Sequence, residues 1–164
     1  MRKTVAVVGL VMMSAVALIA FSVGRSTAAG GPKSYHAVLN VGQQETQDPQ
    51  PDSTGIGVAH FVLHPDRTFC TNMTVIGLSS TINNAHIHGI AGPGSNTSPI
   101  IQLDPTGNLA TGVWRNDCGT AFFGGDPDPK LTKAQVEALN KGKLYVNVHT
   151  VNHNPGEVRG QIHK

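Results

Sequence analysis

The stretch NNAHIHGIAG, residues 83–92, decides how this chain is read. His86 and His88 are separated by a single isoleucine. On a helix of 3.6 residues per turn the two rings would point roughly 200° apart. On a strand, where side chains alternate, they share one face while Ala85 and Ile87 share the other. The residues that follow, 91–98, are rich in glycine, proline and serine and read as a loop. The pattern therefore predicts a strand over 83–90 with two imidazoles on the face away from its apolar stripe. Such a pair is either part of a site or ordinary surface polarity.

The neighbouring segments alternate in the same way. SYHAVLNV (34–41) places Tyr35, Ala37, Leu39 and Val41 on one side. GVAHFVLHP (57–65) places Ala59, Phe61 and Leu63 inward and Val58, His60 and Val62 outward. RTFCTNMTVIGL (67–78) places Phe69, Met73 and Val75 inward and Cys70 and Asn72 outward, and the HPDR between these two runs predicts a hairpin. PIIQL (99–103) is a short strand after the Gly/Pro/Ser loop 91–98. KLYVNVHT (143–150) points Leu144, Val146 and Val148 inward and Tyr145, Asn147 and His149 the other way. EVRGQIHK (157–164) sets Val158 and Ile162 against Glu157, Arg159, Gln161 and His163. The segment from Asp104 to Pro129, which holds Trp114 and Cys118, carries only a weak pattern. Trp114 is read as a core or loop-packing residue.

One helix is predicted over 131–142. Thr132 and Gln135 form a capping box, Leu131 can staple onto Val136, and Gly142 supplies the left-handed stop. About seven short strands with turns between them predict an all-β fold. The expected form is an antiparallel β-sandwich with one short connecting helix.

Composition fits this: of 164 residues, 13% are charged and 5% aromatic, with 19 glycines and 10 prolines. The first 29 residues have the order of a secretory signal peptide. Arg2 and Lys3 precede an apolar run from Val5 to Val23, and the small residues Thr27, Ala28 and Ala29 follow. An uncleaved membrane anchor is the alternative, since the run is near the shortest that spans a bilayer. The expected domains are a signal peptide over 1–29 and one folded domain over 30–164. Cleavage removes Arg2, Lys3 and Arg25 but none of the 10 acidic residues, so a formal net charge of +2 becomes about −1. The mature chain then has no basic patch for nucleic acid and no membrane segment. Export to an oxidising compartment makes a Cys70–Cys118 disulfide the expectation, with two separate thiols as the alternative. NMT (72–74) and NTS (96–98) are glycosylation acceptors only in a eukaryotic secretory pathway.

YHAVLNVGQQE (35–45), GVAHFVL (57–63), NAHIHG (84–89), LTKAQVEALNKGKLYVNVHT (131–150) and NPGEVRGQI (154–162) together resemble the CHRD (chordin) domain family. The resemblance implies an immunoglobulin-like β-sandwich, typically extracellular, and supplies no biochemical activity. It also implies a weaker similarity to Cu/Zn superoxide dismutase. HIH (86–88) resembles that enzyme's His-x-His strand, VNVHT its late copper-ligand strand at His149, and GEVRGQI its anion-guiding arginine at Arg159. The dismutases place a bridging histidine and zinc ligands between these strands. Between His88 and His149 this chain has no histidine, so a dinuclear copper–zinc site is not supported.

Three imidazoles on neighbouring strands suffice for a mononuclear copper or zinc site. His86, His88 and His149 are the candidate ligands, with His60 as a possible fourth and His36 and His153 behind it. The competing expectation is structural: the histidines hydrogen-bond turn backbone and hold the 91–98 loop, with Asn147 and Thr150 in similar roles. Arg159 either pairs with Glu157 or another carboxylate or points into an anion pocket beside the histidines. No nucleophile–base pair is readable. The leading function is a non-enzymatic extracellular binding module facing a protein or matrix partner. The alternative is a small exported His-ligated copper or zinc metalloprotein, dismutase-like at its extreme. Intact mass of the exported protein is expected to correspond to a chain beginning at Gly30; a mass that retains Met1–Ala29 would mean an anchored protein.

Overall fold

A computed structural model describes residues 30–44, 47–104, 108–122 and 129–164. The signal-peptide expectation lies outside these residues. Among the described residues nine strands form one antiparallel sheet: β1 (Lys33–Asn40), β2 (Ile56–Leu63), β3 (Phe69–Ile76), β4 (Ile82–Gly89), β5 (Pro99–Gln102), β6 (Val113–Asp117), β7 (Thr120–Ala121), β8 (Leu144–Thr150) and β9 (Val158–Gln161). Their order is β6-β3-β2-β1-β9-β8-β4-β5-β7. The ladder is unbroken, so the expected all-β antiparallel fold is built as a single curled sheet. Inward residues of β1 through β6, β8 and β9, among them Leu39, Phe61, Phe69, Ile87, Ile101, Trp114, Val146 and Val158, share one apolar core. Strands so far apart in the order can share one core only if the sheet bends round it. No helix among the described residues is long and apolar enough to cross a membrane.

The weakly patterned middle segment turns out to close the structure. It contributes a single helical turn, α1 (Asn108–Thr111), and then β6 and β7. β6 pairs with β3 at one end of the strand order and β7 with β5 at the other. Only Cys118 and Gly119 separate them, so residues 113–121 stitch the two ends of the sheet together. Gly119 has φ +65°, and a Cβ there would lie 2.3 Å from the Gln102 carbonyl oxygen, so the crossing point accepts only glycine. These strands were hard to foresee because β6 is interrupted by a register shift and β7 has two residues.

The hairpin of β2 and β3 runs in continuous register from Leu63↔Phe69 to Ile56↔Ile76. The second helix, α2 (Lys133–Asn140), starts at the expected capping box, with Gln135 N–H donating to Thr132 Oγ1 at 3.2 Å and Thr132 N–H to Gln135 Oε1 at 2.7 Å. Leu139 is buried, Val136 packs at the core edge, and Gly142 adopts φ +65° beyond the helix end.

Cys70 and Cys118 are bonded. Cys70 points to the same side of β3 as the exposed Asn72, Thr74 and Ile76, yet it is itself buried. The bond draws the β6–β7 junction over it. The residues lie 48 positions apart, a loop whose closure stabilises by at most about 4 kcal/mol. The Cys70→Ala/Cys118→Ala double variant is expected to lose about 2–4 kcal/mol in urea unfolding. Unchanged stability would show that strand pairing alone holds the junction.

Candidate metal centre

The site begins with the β4–β8 ladder. Register pairs His86 with Asn147, Asn84 with His149 and His88 with Tyr145. All three histidines project from the face of the sheet opposite the core. That face was expected to be open; over β4, β8 and β9 it is a second, polar interior instead. Every residue of β8 is buried, and His86, His88 and His149 are 6%, 7% and 9% exposed. The cover is local chain that turns back: the 91–98 loop, residues 43–44 and the turn after β8. Arg159 and Gln161 bind the loop, Gln44 binds Asn147, and Asn147 reaches Pro155.

Each ring is oriented by a bond on one nitrogen, which leaves the other bare. His149 Nδ1 is 2.8 Å from the Asn154 carbonyl oxygen and His88 Nδ1 is 2.8 Å from that of Thr97. A carbonyl only accepts, so both Nδ1 atoms carry hydrogen and both Nε2 atoms carry lone pairs. His86 Nε2 is 3.0 Å from Gln102 Oε1. The Gln102 amide NH2 is committed to Asn84 Oδ1 and to the carbonyls of Ala85 and Leu103, which fixes Oε1 as the acceptor. His86 therefore donates from Nε2 and its Nδ1 is bare.

Two of these bare atoms meet. His86 Nδ1 stands 3.1 Å from His149 Nε2, two lone pairs with no proton assigned between them. His88 Nε2 is buried without any hydrogen-bond partner. One ring nitrogen from each of the three residues lies within 4.8 Å of the other two. Nitrogens on one zinc or copper ion, at bond lengths of about 2.0–2.1 Å, stand about 3–4 Å apart. His86 Nδ1 and His149 Nε2 already stand at that spacing, a nitrogen at the 4.8 Å limit would have to move in by roughly 1 Å for one ion to reach all three, and the bonds to Thr97, Gln102 and Asn154 are outer contacts of the kind that orient ligating histidines.

Burial keeps the rings neutral. It is the main cause that lowers His86 to about 4, helped by the charges His149 and His88 would carry and opposed by the Gln102 bond. His88 also falls to about 4, through burial first and then His149 and Arg159, against the Thr97 bond. His149 is lowered by burial. Neutral imidazole is the form that binds metal.

His60 does not join the group. It is exposed on β2, opposite His36 of β1, with β1 and β9 between it and β8. His153, in the turn after β8, is also outside the group. Arg159 is 1% exposed and does not reach Glu157 as its partner. That carboxylate is held by Ser53 Oγ, by Ser79 N–H and Oγ at 2.6 and 2.9 Å and by Thr150 Oγ1 at 2.5 Å. The guanidinium instead donates to Asn96 Oδ1, the Gly92 carbonyl and Gln161 Oε1, at 3.0, 3.1 and 3.2 Å, and lies 3.6 Å over the Tyr145 ring. Gln102, Asn154 and Phe122, whose ring meets His86 edge-on at 5.0 Å, were not foreseen. The signal that could have found Gln102 is alternation within PIIQL, which sets it on the face opposite Ile101, and the β4–β5 pairing then brings it beside His86.

A disulfide-closed, all-β module with a buried histidine cluster is the class this geometry defines. The CHRD domain family model matches residues 35–162, and the chain belongs to that family. At family level it is a small binding module of extracellular type, which the disulfide suits. Comparisons with curated proteins and with solved structures found no match.

The unfolded rings titrate near 6.5, whereas folded His86 and His88 titrate near 4. Between those values the unfolded chain binds more protons. The stability contributed by the neutral rings is thus complete above pH 6.5 and lost as pH falls toward 4. Urea unfolding of metal-stripped protein at pH 7.5, 5.5 and 4.5 is expected to show that decline, and His88→Gln a shallower one. A flat wild-type profile would mean that the rings are not held neutral.

Proposed function

We propose that this CHRD module is a metal-holding extracellular module in which His86, His88 and His149 bind one copper or zinc ion. The observation that carries this is the tautomer pattern: His86 Nδ1 and His149 Nε2 are unprotonated and 3.1 Å apart, His88 Nε2 is buried without a hydrogen-bond partner, and each residue offers a ring nitrogen within 4.8 Å of the others. A purely structural cluster has no use for two lone pairs 3.1 Å apart and a third left unsatisfied in the interior. Bound there, the ion supplies a Lewis-acidic or redox-capable centre. The chain contributes ligands from two adjacent strands, orients them from outside and covers them. Holding an ion, more than turning over a substrate, suits ligands that are over nine-tenths buried.

Partner binding has separate support. Val38 faces Val58 and Ile56 faces Ile76 on the outer side of β1–β3, and these four are 53–62% exposed. An exposed aliphatic patch of this kind is the surface a protein partner would cover.

Calorimetric titration of metal-stripped protein with Cu(II) and with Zn(II) tests the metal reading. One equivalent is expected for the wild type. His86→Ala and His149→Ala are expected to weaken binding by at least roughly 100-fold, and Gln102→Leu, which frees the His86 ring, by roughly 10–100-fold. Absence of binding by the wild type, or equal affinity in every variant, would leave the partner-binding module as the function.

A further inference from the structure

A second pair of histidines stands on the outer side of β1 and β2, and we infer that His36 and His60 form an exposed two-imidazole chelate for a divalent transition-metal ion. The inference stands whether or not the buried centre holds an ion. His36 points outward between the buried Tyr35 and Ala37, and His60 points outward between the buried Ala59 and Phe61. The register places the two directly opposite one another. Both residues are exposed, and neither ring is tied by a side-chain hydrogen bond to another described residue.

Backbone pairing settles how close the two rings are rooted. In an antiparallel ladder a residue directs its N–H and its C=O to the same neighbouring strand, and its pair on the other side is then the close-spaced kind. His36 N–H donates to the His163 carbonyl at 2.8 Å, and His163 N–H donates to the His36 carbonyl at 2.9 Å. With both groups of His36 committed to His163, the His36–His60 pair is non-hydrogen-bonded, the kind with Cα atoms about 4.5 Å apart and side chains nearest. Two imidazole nitrogens on one ion, at bond lengths of about 2.0–2.1 Å, stand about 3–4 Å apart. Side chains rooted so closely reach that spacing by rotation about their own bonds. His163 lies in the same row but across the wider, hydrogen-bonded pair. Its ring leans on Gly142, where an added Cβ would lie 3.1 Å from His163 Nδ1. The chelate is therefore His36 with His60.

The surroundings suit a cation. The flanking pairs on that face, Ser34↔Val62 and Val38↔Val58, carry no charge. On the core side the pairs Tyr35↔Phe61 and Ala37↔Ala59 are buried and fix both strands, so binding orders two side chains and no backbone. Imidazole suits copper, nickel and zinc, and among these copper binds a given site most tightly. Two protein ligands leave the ion's other positions to water or to a donor from outside, beside the exposed Val38, Val58, Ile56 and Ile76. Two imidazoles hold a free ion less tightly than three, so in a titration with bare metal the pair fills after the single tight equivalent assigned to the buried centre.

The test uses the whole, untagged, metal-stripped exported protein with Ni(II)–nitrilotriacetate as the probe. The chelator occupies all but two adjacent positions of nickel, so the probe reads neighbouring imidazoles and is too bulky for rings only 6–9% exposed. Calorimetry is expected to show one equivalent bound. His36→Gln and His60→Gln are each expected to weaken it at least roughly 10-fold, because losing either ring leaves a single attachment. The double variant should be little weaker than either single one, as two groups on one ion require. His163→Gln should leave the affinity unchanged. All three positions are exposed, and circular dichroism checks that each variant is folded. No binding by the wild type, a loss confined to one of the two substitutions, losses that add in the double variant, or an equal loss on His163→Gln would overturn the site.

Discussion

The antiparallel ladder between β4 and β8 is the constraint on which the rest depends. It joins segments more than fifty residues apart in the chain and pairs Ala85 with Val148 and Ile87 with Val146 on the core side. Because side chains alternate, that apolar match compels the opposite match: His86, His88 and His149 must emerge together on the other face. A slip of one residue would send the histidines into the core and the valines out. The hydrophobic effect thus sets the histidine geometry without touching a histidine, and the β8–β9 ladder extends the same register to Arg159, which pairs with Asn147.

Structural and metal-binding roles for the histidines began as alternatives, yet the same bonds would serve both. His88 holds the 91–98 loop through Thr97, and His149 holds its turn through Asn154. In doing so each ring surrenders one nitrogen to the fold and is forced to present the other to its neighbours. Gln102 does the same for His86 from β5. The loops cover the three rings because the rings anchor them, so folding of the cover and orientation of the bare nitrogens are one event.

Much of this was legible in the sequence. Period-two alternation found the strands whose two faces differ, and the Thr132–Gln135 capping box marked α2 because that signal is local. Alternation also put His86, His88 and His149 on non-core faces. It could not say that this face is covered, since covering depends on where the 91–98 loop folds back and on the burial of Arg159 and Glu157. A charged residue reads as surface until its partners are known, and those partners come from distant loops: Ser53 and Ser79 for Glu157, Asn96 and Gly92 for Arg159. His60 shows the converse. Its outward orientation was read correctly, but orientation without strand order could not reveal that two strands separate it from β8. β6 and β7 escaped notice because a register shift and a two-residue strand leave no periodicity to detect.

The stitch across residues 113–121 has a further consequence for how the chain meets other chains. An open sheet of this size would present two rows of unsatisfied amides and carbonyls, each a template on which another chain could grow. Here β3 and β5, which would be those margins, are both capped by the same short run of chain, and the disulfide fastens that run to β3. Domain closure therefore doubles as protection against cross-β growth. Reduction of one covalent bond would loosen the seal and expose a templating edge, so solubility and redox state are tied together in this molecule.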